Sequence, residues 1–214
     1  MNPTILALAL LAAMVAVVNG QQPAPAAKPP NGAFHWNSSD LKVLGSGDSI
    51  KLSKSLSPAE RQALLKAVIG QFKTYDVRHT EEEWLAIAGD TRIKLVDLNG
   101  DGVPGVIAQG SGDLSCSPTG KCDFWVFSRV GETYKVILER EAIENFTVQP
   151  TLTNGYHDIV LGMHGSATEQ ELFVYRFTNG RYRKSACYYA YWQRLVGGKL
   201  QHFKEPVITP CNPS

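Results

Sequence analysis

Val96-Asp97-Leu98-Asn99-Gly100-Asp101-Gly102-Val103-Pro104-Gly105 is the stretch in which oxygen-bearing side chains, glycines and a regular spacing coincide. A D-x-[DN]-x-[DN]-G spacing sets side-chain oxygens at alternate positions of a loop, with a glycine at the sharp turn, and calcium takes such a donor set. Asp97, Asn99 and Asp101 occupy the three places, Gly102 is the turn glycine, and Val103 adds a backbone carbonyl. The same residues also favour an Asn/Asp/Gly hairpin turn that needs no metal. The flanks decide the fold. Ile93-Lys94-Leu95-Val96 enters the loop and Val106-Ile107-Ala108 leaves it, both strand-like. The twelfth position is Ala108, where an EF-hand carries its bidentate Glu. The loop therefore joins strands, and the domain is β-structure built around it.

Downstream the strand pattern continues. Phe124 to Val130 and Tyr134 to Leu138 form a hairpin turned at Gly131-Glu132. The arrangement then recurs. Thr153-Asn154-Gly155 takes the place of the loop and Ile159-Val160-Leu161 follows it. Leu172 to Phe177 and Tyr182 to Cys187 turn at Asn179-Gly180, a strong hairpin signal. Two degenerate four-stranded units result, 92–140 and 145–188; two unrelated meanders would read similarly. Tyr188 to Trp192, Gly197-Gly198 and Leu200 to Ile208 give a C-terminal hairpin over 188–211.

Upstream, 57–89 reads as helical. Ser57-Pro58-Ala59-Glu60 is a capping box with Pro at the first helical position, and Leu64, Leu65, Val68, Ile69 and Phe72 follow at helical spacing. Thr80-Glu81-Glu82-Glu83 repeats the start, its acids facing the helix dipole. Gly89 is the expected stop. A further hairpin is expected over Val43 to Leu52.

Met1 to Gly20 has no charged side chain, and Ile5 to Val18 is an apolar run. Its length suits a signal-peptide core better than a membrane span. Residues 1–20 are therefore expected to be a signal peptide, cut before Gln21 or after Ala26; an uncleaved anchor is the other reading. Residues 21–31 are a Pro/Ala-rich linker, and 32–214 a single β-rich domain. The fold class is α+β, β-dominant: an antiparallel meander with an N-terminal helical segment.

The run Leu95 to Gly102 with Val106-Ile107 resembles the FG-GAP or VCBS-type repeat, in which a D-x-N-x-D-G loop joins two strands of a propeller blade. The resemblance covers roughly Ile93 to Leu138, and also fits uncharacterised bacterial secreted proteins with a single DLNGDG loop and a cysteine-bracketed hairpin. It implies an exported protein and a calcium loop at Asp97, Asn99, Asp101 and Val103. In that family an acid closes the loop eight positions after the first Asp; here Gly105 stands there. Asp90, Asp113 or Asp123 folding back would replace it.

Charge excludes one class. With 21 Lys+Arg against 20 Asp+Glu, no basic excess exists to neutralise nucleic-acid phosphates. Cys116, Cys122, Cys187 and Cys211 allow three connectivities, and an even count in an exported chain favours disulfides. Pairing Cys116 with Cys122 would staple a turn-rich loop, and Cys187 with Cys211 would pin the C-terminus. Tyr189, Tyr191 and Trp192 lie in the densest aromatic run and are candidates to bind a protein or glycan at the cell envelope. His157, Asp158, His164 and Ser166 place hydrolase-type residues near one another, without a G-x-S-x-G elbow. Asn37 and Asn145 head glycosylation sequons. The expected function is an exported, secreted or periplasmic, non-catalytic accessory or binding protein, calcium-stabilised, with no transmembrane span in the mature chain. The alternative is a cell-envelope hydrolase or an inhibitor of an envelope enzyme.

Overall fold

The computed structural model describes Leu44, residues 48–74 and residues 78–211. The expected signal peptide, the linker and Asn37 lie outside the described residues. So does part of the hairpin expected at 43–52. Its described end, Ser49 to Ser53, is a turn in which the Leu52 and Ser53 N–H groups donate to the Ser49 carbonyl.

Both capping boxes form. Ser57 Oγ accepts the Glu60 N–H at 3.3 Å and Glu60 accepts the Ser57 N–H at 2.9 Å, opening α1 (Pro58–Phe72). Thr80 and Glu83 do the same for α2 (Glu81–Asp90). Each box satisfies backbone donors that the first helical turn leaves unpaired. Gly89 does not stop α2, which runs to Asp90 and ends at extended Thr91. Gly89 is instead buried, with its carbonyl accepting from Lys51 N–H.

Among the described residues nine strands follow: β1 (Arg92–Val96), β2 (Gly105–Gln109), β3 (Cys122–Val130), β4 (Thr133–Ile143), β5 (Asn145–Thr153), β6 (Tyr156–Ser166), β7 (Glu169–Thr178), β8 (Arg181–Val196) and β9 (Lys199–Pro210). All pairings are antiparallel between sequence neighbours, giving a four-stranded sheet β1–β4 and a five-stranded sheet β5–β9. The three hairpins of the first sheet correspond in order to the first three of the second. The β1–β2 loop matches Asn154-Gly155, the 110–121 connection matches Ala167-Thr168, and Gly131-Glu132 matches Asn179-Gly180. Asn154 (φ 50°) and Asn179 (φ 53°), each followed by a glycine with positive φ, form the tight turns that match strand twist. The fifth strand arises because β8 does not stop at Tyr188. It runs on to Val196, so one strand closes the second unit and begins the C-terminal hairpin.

Side-chain alternation sorts the core into layers. Val106, Ala108, Trp125 and Phe127 pack with Leu64, Val68, Phe72 and Trp84 of the helices. Ile107, Phe124, Val126 and Leu138 point the other way and pack with Phe146, Ile159, Leu161, Tyr175 and Tyr182 of the second sheet. The first sheet is thus buried on both faces, which explains the unbroken apolar runs of β2 and β3. A third cluster, Val160, Leu172, Val174 and Ala190, occupies the other face of the second sheet.

Two disulfides are present, and no cysteine is free. Cys116–Cys122 closes the β2–β3 connection. Cys187–Cys211 joins β8 to the residue after β9, beside a backbone bond from Cys211 N–H to the Cys187 carbonyl.

Candidate functional site

The loop between β1 and β2 folds on its own hydrogen bonds. Asp97 Oδ1 accepts the Asn99 and Gly100 N–H groups at 3.3 and 2.8 Å, and its Oδ2 accepts the Gly102 N–H at 2.9 Å. Asp101 Oδ1 accepts the Val103 N–H at 2.7 Å. Asn99 Nδ2 donates to Asp101 Oδ2 at 2.7 Å. Gly100 and Gly102 sit at φ 72° and 80°, where a side chain would be strained. Short polar side chains bonding nearby backbone groups are what make such residues turn-formers.

The donors, Gly102 N–H first, then Gly100, Asn99 and Asp101, hold the Asp97 carboxyl below the ordinary aspartate value, against a partial desolvation that raises it. A folded value below the unfolded one means that ionised Asp97 supports the loop. That support is complete above the unfolded value and is lost as pH falls through the folded one. The Gly102 amide chemical shift should therefore titrate with a midpoint below 3.8, the ordinary value. A midpoint at or above it contradicts the bonding described.

Leu98 ties this loop to the rest of the domain. Its side chain is buried in the core between the sheets. Its carbonyl accepts the His157 N–H at 2.7 Å, from β6 of the second sheet. The loop is therefore a clasp across the two sheets as well as a turn.

Beside it lies a hollow of about 20 Å³, lined in part by Asn99, Asp101, Val103 and Gly105. That is room for one ion or one water. Three of the four expected ligands border it. Asp97 does not, because its oxygens serve the loop amides. Arg129 is on the rim, but its guanidinium bonds Glu60 at 2.5 Å and the Gly131 carbonyl at 3.1 Å. None of Asp90, Asp113 and Asp123 lines the hollow. Asp90 faces Lys51, and buried Asp123 bonds Arg140 at 2.6 Å. Gly105 carries no acid for a steric reason: a Cβ there would stand 2.8 Å from the Phe127 carbonyl oxygen. Among the described residues no group of three or more His, Cys, Asp or Glu is placed to hold a metal. The residues bordering the hollow offer one carboxylate, Asp101, one side-chain amide, Asn99, and the Val103 backbone, an all-oxygen set of the kind hard cations take, with water filling the remaining positions.

The hydrolase-type residues do not meet. All lie on β6, but His157 and His164 are seven residues apart, roughly 20 Å along a strand. His157 Nδ1 is 2.7 Å from the Gln149 carbonyl. Buried Asp158 accepts from Thr151 Oγ1 and faces Arg176. His164 pairs with Glu144, and Ser166 Oγ is 3.4 Å from Thr168 Oγ1. Asn145 is no glycosylation acceptor in the folded chain, since it is buried in β5 and accepts from Gln170 at 3.0 Å.

The aromatic run splits between two faces of β8. Tyr189 and Tyr191 have ring centroids 6.0 Å apart. Trp192 packs with Tyr188 and Ile208 at the third cluster. All four rings are half-buried. Among the described residues no helix is long and apolar enough to cross a membrane. No known protein family, curated protein or solved structure matches this chain.

The sequence marked Gly105 only as a missing acid and the β8–β9 turn only as a hairpin, and gave Leu98 no role of its own. Leu98 was legible in part: an apolar residue inside an otherwise polar loop asks for burial.

Proposed function

We propose that the chain is an exported, non-catalytic binding or accessory module whose clasp loop is reinforced by calcium. What supports this most is the end of β8–β9, a projecting ribbon with exposed apolar side chains, which suits contact with a partner. Calcium is supported by the single-ion hollow bordered by Asn99, Asp101 and Val103. The two disulfides support an oxidising compartment.

Expression with the chain's own N-terminus tests the compartment. Recovery outside the cytoplasm with no thiol open to alkylation is expected; cytoplasmic chain with reduced cysteines contradicts it. Titration tests the metal. Extracellular calcium modules bind in the ~0.1–1 mM range. Calcium at 10 mM should then raise the melting temperature by roughly 3–10 °C, by mass action on the folded state. Asp101→Asn should abolish most of that rise. An unchanged melting temperature and no heat of binding overturn the calcium reading.

A further inference from the structure

We propose that the β8–β9 ribbon docks on an anionic lipid surface, tip first, which rests on the reading of the chain as an exported binding module and names its partner. The last backbone bond tying β8 to anything but β9 is at its root, where Trp192 N–H donates to the carbonyl of Thr168, in the β6–β7 turn, at 3.2 Å. Beyond it β8 and β9 pair only with each other, from Gln193 with His202 to Val196 with Lys199. These paired residues project roughly 10 Å past the sheet. An isolated two-stranded ribbon is marginal in water, and this one leaves its apolar side chains there. Leu195 is 69% exposed, Leu200 55% and Val196 45%. Leu195 and Leu200 are direct cross-strand partners and so share a face.

The charges around that tip choose the partner. Residues 193–205 carry Arg194, Lys199 and Lys204 against the single acid Glu205, in a chain whose formal net charge is only +1. Arg194 and Lys199 alternate with the leucines along the ribbon. Their long stems can lie along it while the charged heads reach phosphate. At the root stand Tyr189, Tyr191 and Trp192, the side chains that favour the level of lipid headgroups. The tip thus interleaves apolar side chains with Lys199 and Arg194, above an aromatic root, a combination that suits the boundary between acyl chains and anionic headgroups. Insertion of 5–10 Å is typical of interfacial elements, which the ribbon's reach matches. A soluble acidic protein would be met by the cations alone and would leave the glycine-turned leucine tip unexplained.

Flotation of the full chain with vesicles tests this, in chelator so that calcium bridging plays no part. Vesicles of phosphatidylglycerol with phosphatidylcholine are compared with phosphatidylcholine alone. Stronger binding to the anionic vesicles, weakened by salt, is expected. Leu195→Ser with Leu200→Ser should lower the partition coefficient roughly tenfold or more. Arg194→Gln and Lys199→Gln should each lower it about fivefold. The N-terminal apolar run is common to all variants, so differences between them report the ribbon. All four side chains are solvent-exposed, and equal melting temperatures confirm that the variants fold. Equal binding by wild type and the double leucine variant overturns the proposal. So does no preference for anionic vesicles, or a concentration-dependent dimer lost in that variant without vesicle binding, which would make a second copy the partner. The calcium titration is read separately, so either reading can fail alone.

Discussion

Leu98→Ala lowers the unfolding free energy by about 4 kcal/mol, within the range for truncating a leucine in a core that collapses poorly around the cavity. Leu98 reaches between the sheets from a loop whose neighbours are solvent-exposed or half-exposed. Phe124, Phe146 and Ile159, in the same cluster, are anchored in strands and have little freedom to fill the space. The His157–Leu98 bond uses the backbone carbonyl and survives the substitution, so the loss reports the side chain alone. Urea unfolding followed by tryptophan fluorescence measures it. A loss under 1 kcal/mol, the size expected at a surface position, would show that the loop does not clasp the sheets.

Gly105→Asp destabilises by about 4 kcal/mol or more and does not tighten calcium binding. The substitution restores the acid that the resembled repeat carries at this place, so a reading from motif alone expects a better site. Here the new Cβ meets the Phe127 carbonyl oxygen at 2.8 Å, and Phe127 belongs to β3, central in a sheet buried on both faces. Overpacking of this kind costs ~1–3 kcal/mol, and a carboxylate placed at a buried position adds a desolvation cost. Calorimetric titration of any folded fraction, beside its urea curve, measures both effects. A variant as stable as wild type with tenfold tighter calcium would overturn the steric account of Gly105.

Much of the architecture was legible because local signals and burial agreed. Ser57 with Glu60 and Thr80 with Glu83 are short-range, and both form. Asn154-Gly155 and Asn179-Gly180 demand positive φ and fall at tight hairpins. The run from Phe124 to Val130 read as a strand, but not as one whose neighbours Phe124 and Trp125 enter different cores. A strand buried on both sides reads as a continuous apolar run, which hides which layer each residue faces. The passage of β8 through Tyr188 was obscured because a strand's end depends on its neighbours. The strand β8 is paired on both sides from Tyr188 to Tyr191, and beyond Tyr191, opposite the first residue of β7, only β9 accompanies it. Gly89 read as a helix stop because glycine ends helices often, whereas here its carbonyl serves Lys51. In the clasp, the polar spacing was visible and the steric role of Gly105 was not. A close approach between strands leaves no mark in a single sequence beyond the glycine itself.

The two halves of the chain treat the same topological position differently. In the first sheet the opening hairpin is a long loop with its own hydrogen-bond network and a leucine plug. In the second it is Asn154-Gly155, with Asn154 Nδ2 donating to the Phe177 carbonyl at 2.7 Å. The first ties the two sheets to each other and borders room for an ion; the second ties the β5–β6 turn to β7 of its own sheet. The backbone, Asp97 and Leu98 close the clasp by themselves, and the calcium proposed above would add to it.

Amide hydrogen exchange at Gly100, Gly102 and His157, in chelator and again in 10 mM calcium, tests that claim most directly. Their donors bond Asp97 Oδ1, Asp97 Oδ2 and the Leu98 carbonyl. All three are expected to be protected in chelator, with calcium adding protection of a modest factor. Exchange at unprotected rates in chelator, with protection appearing only when calcium is present, would contradict it.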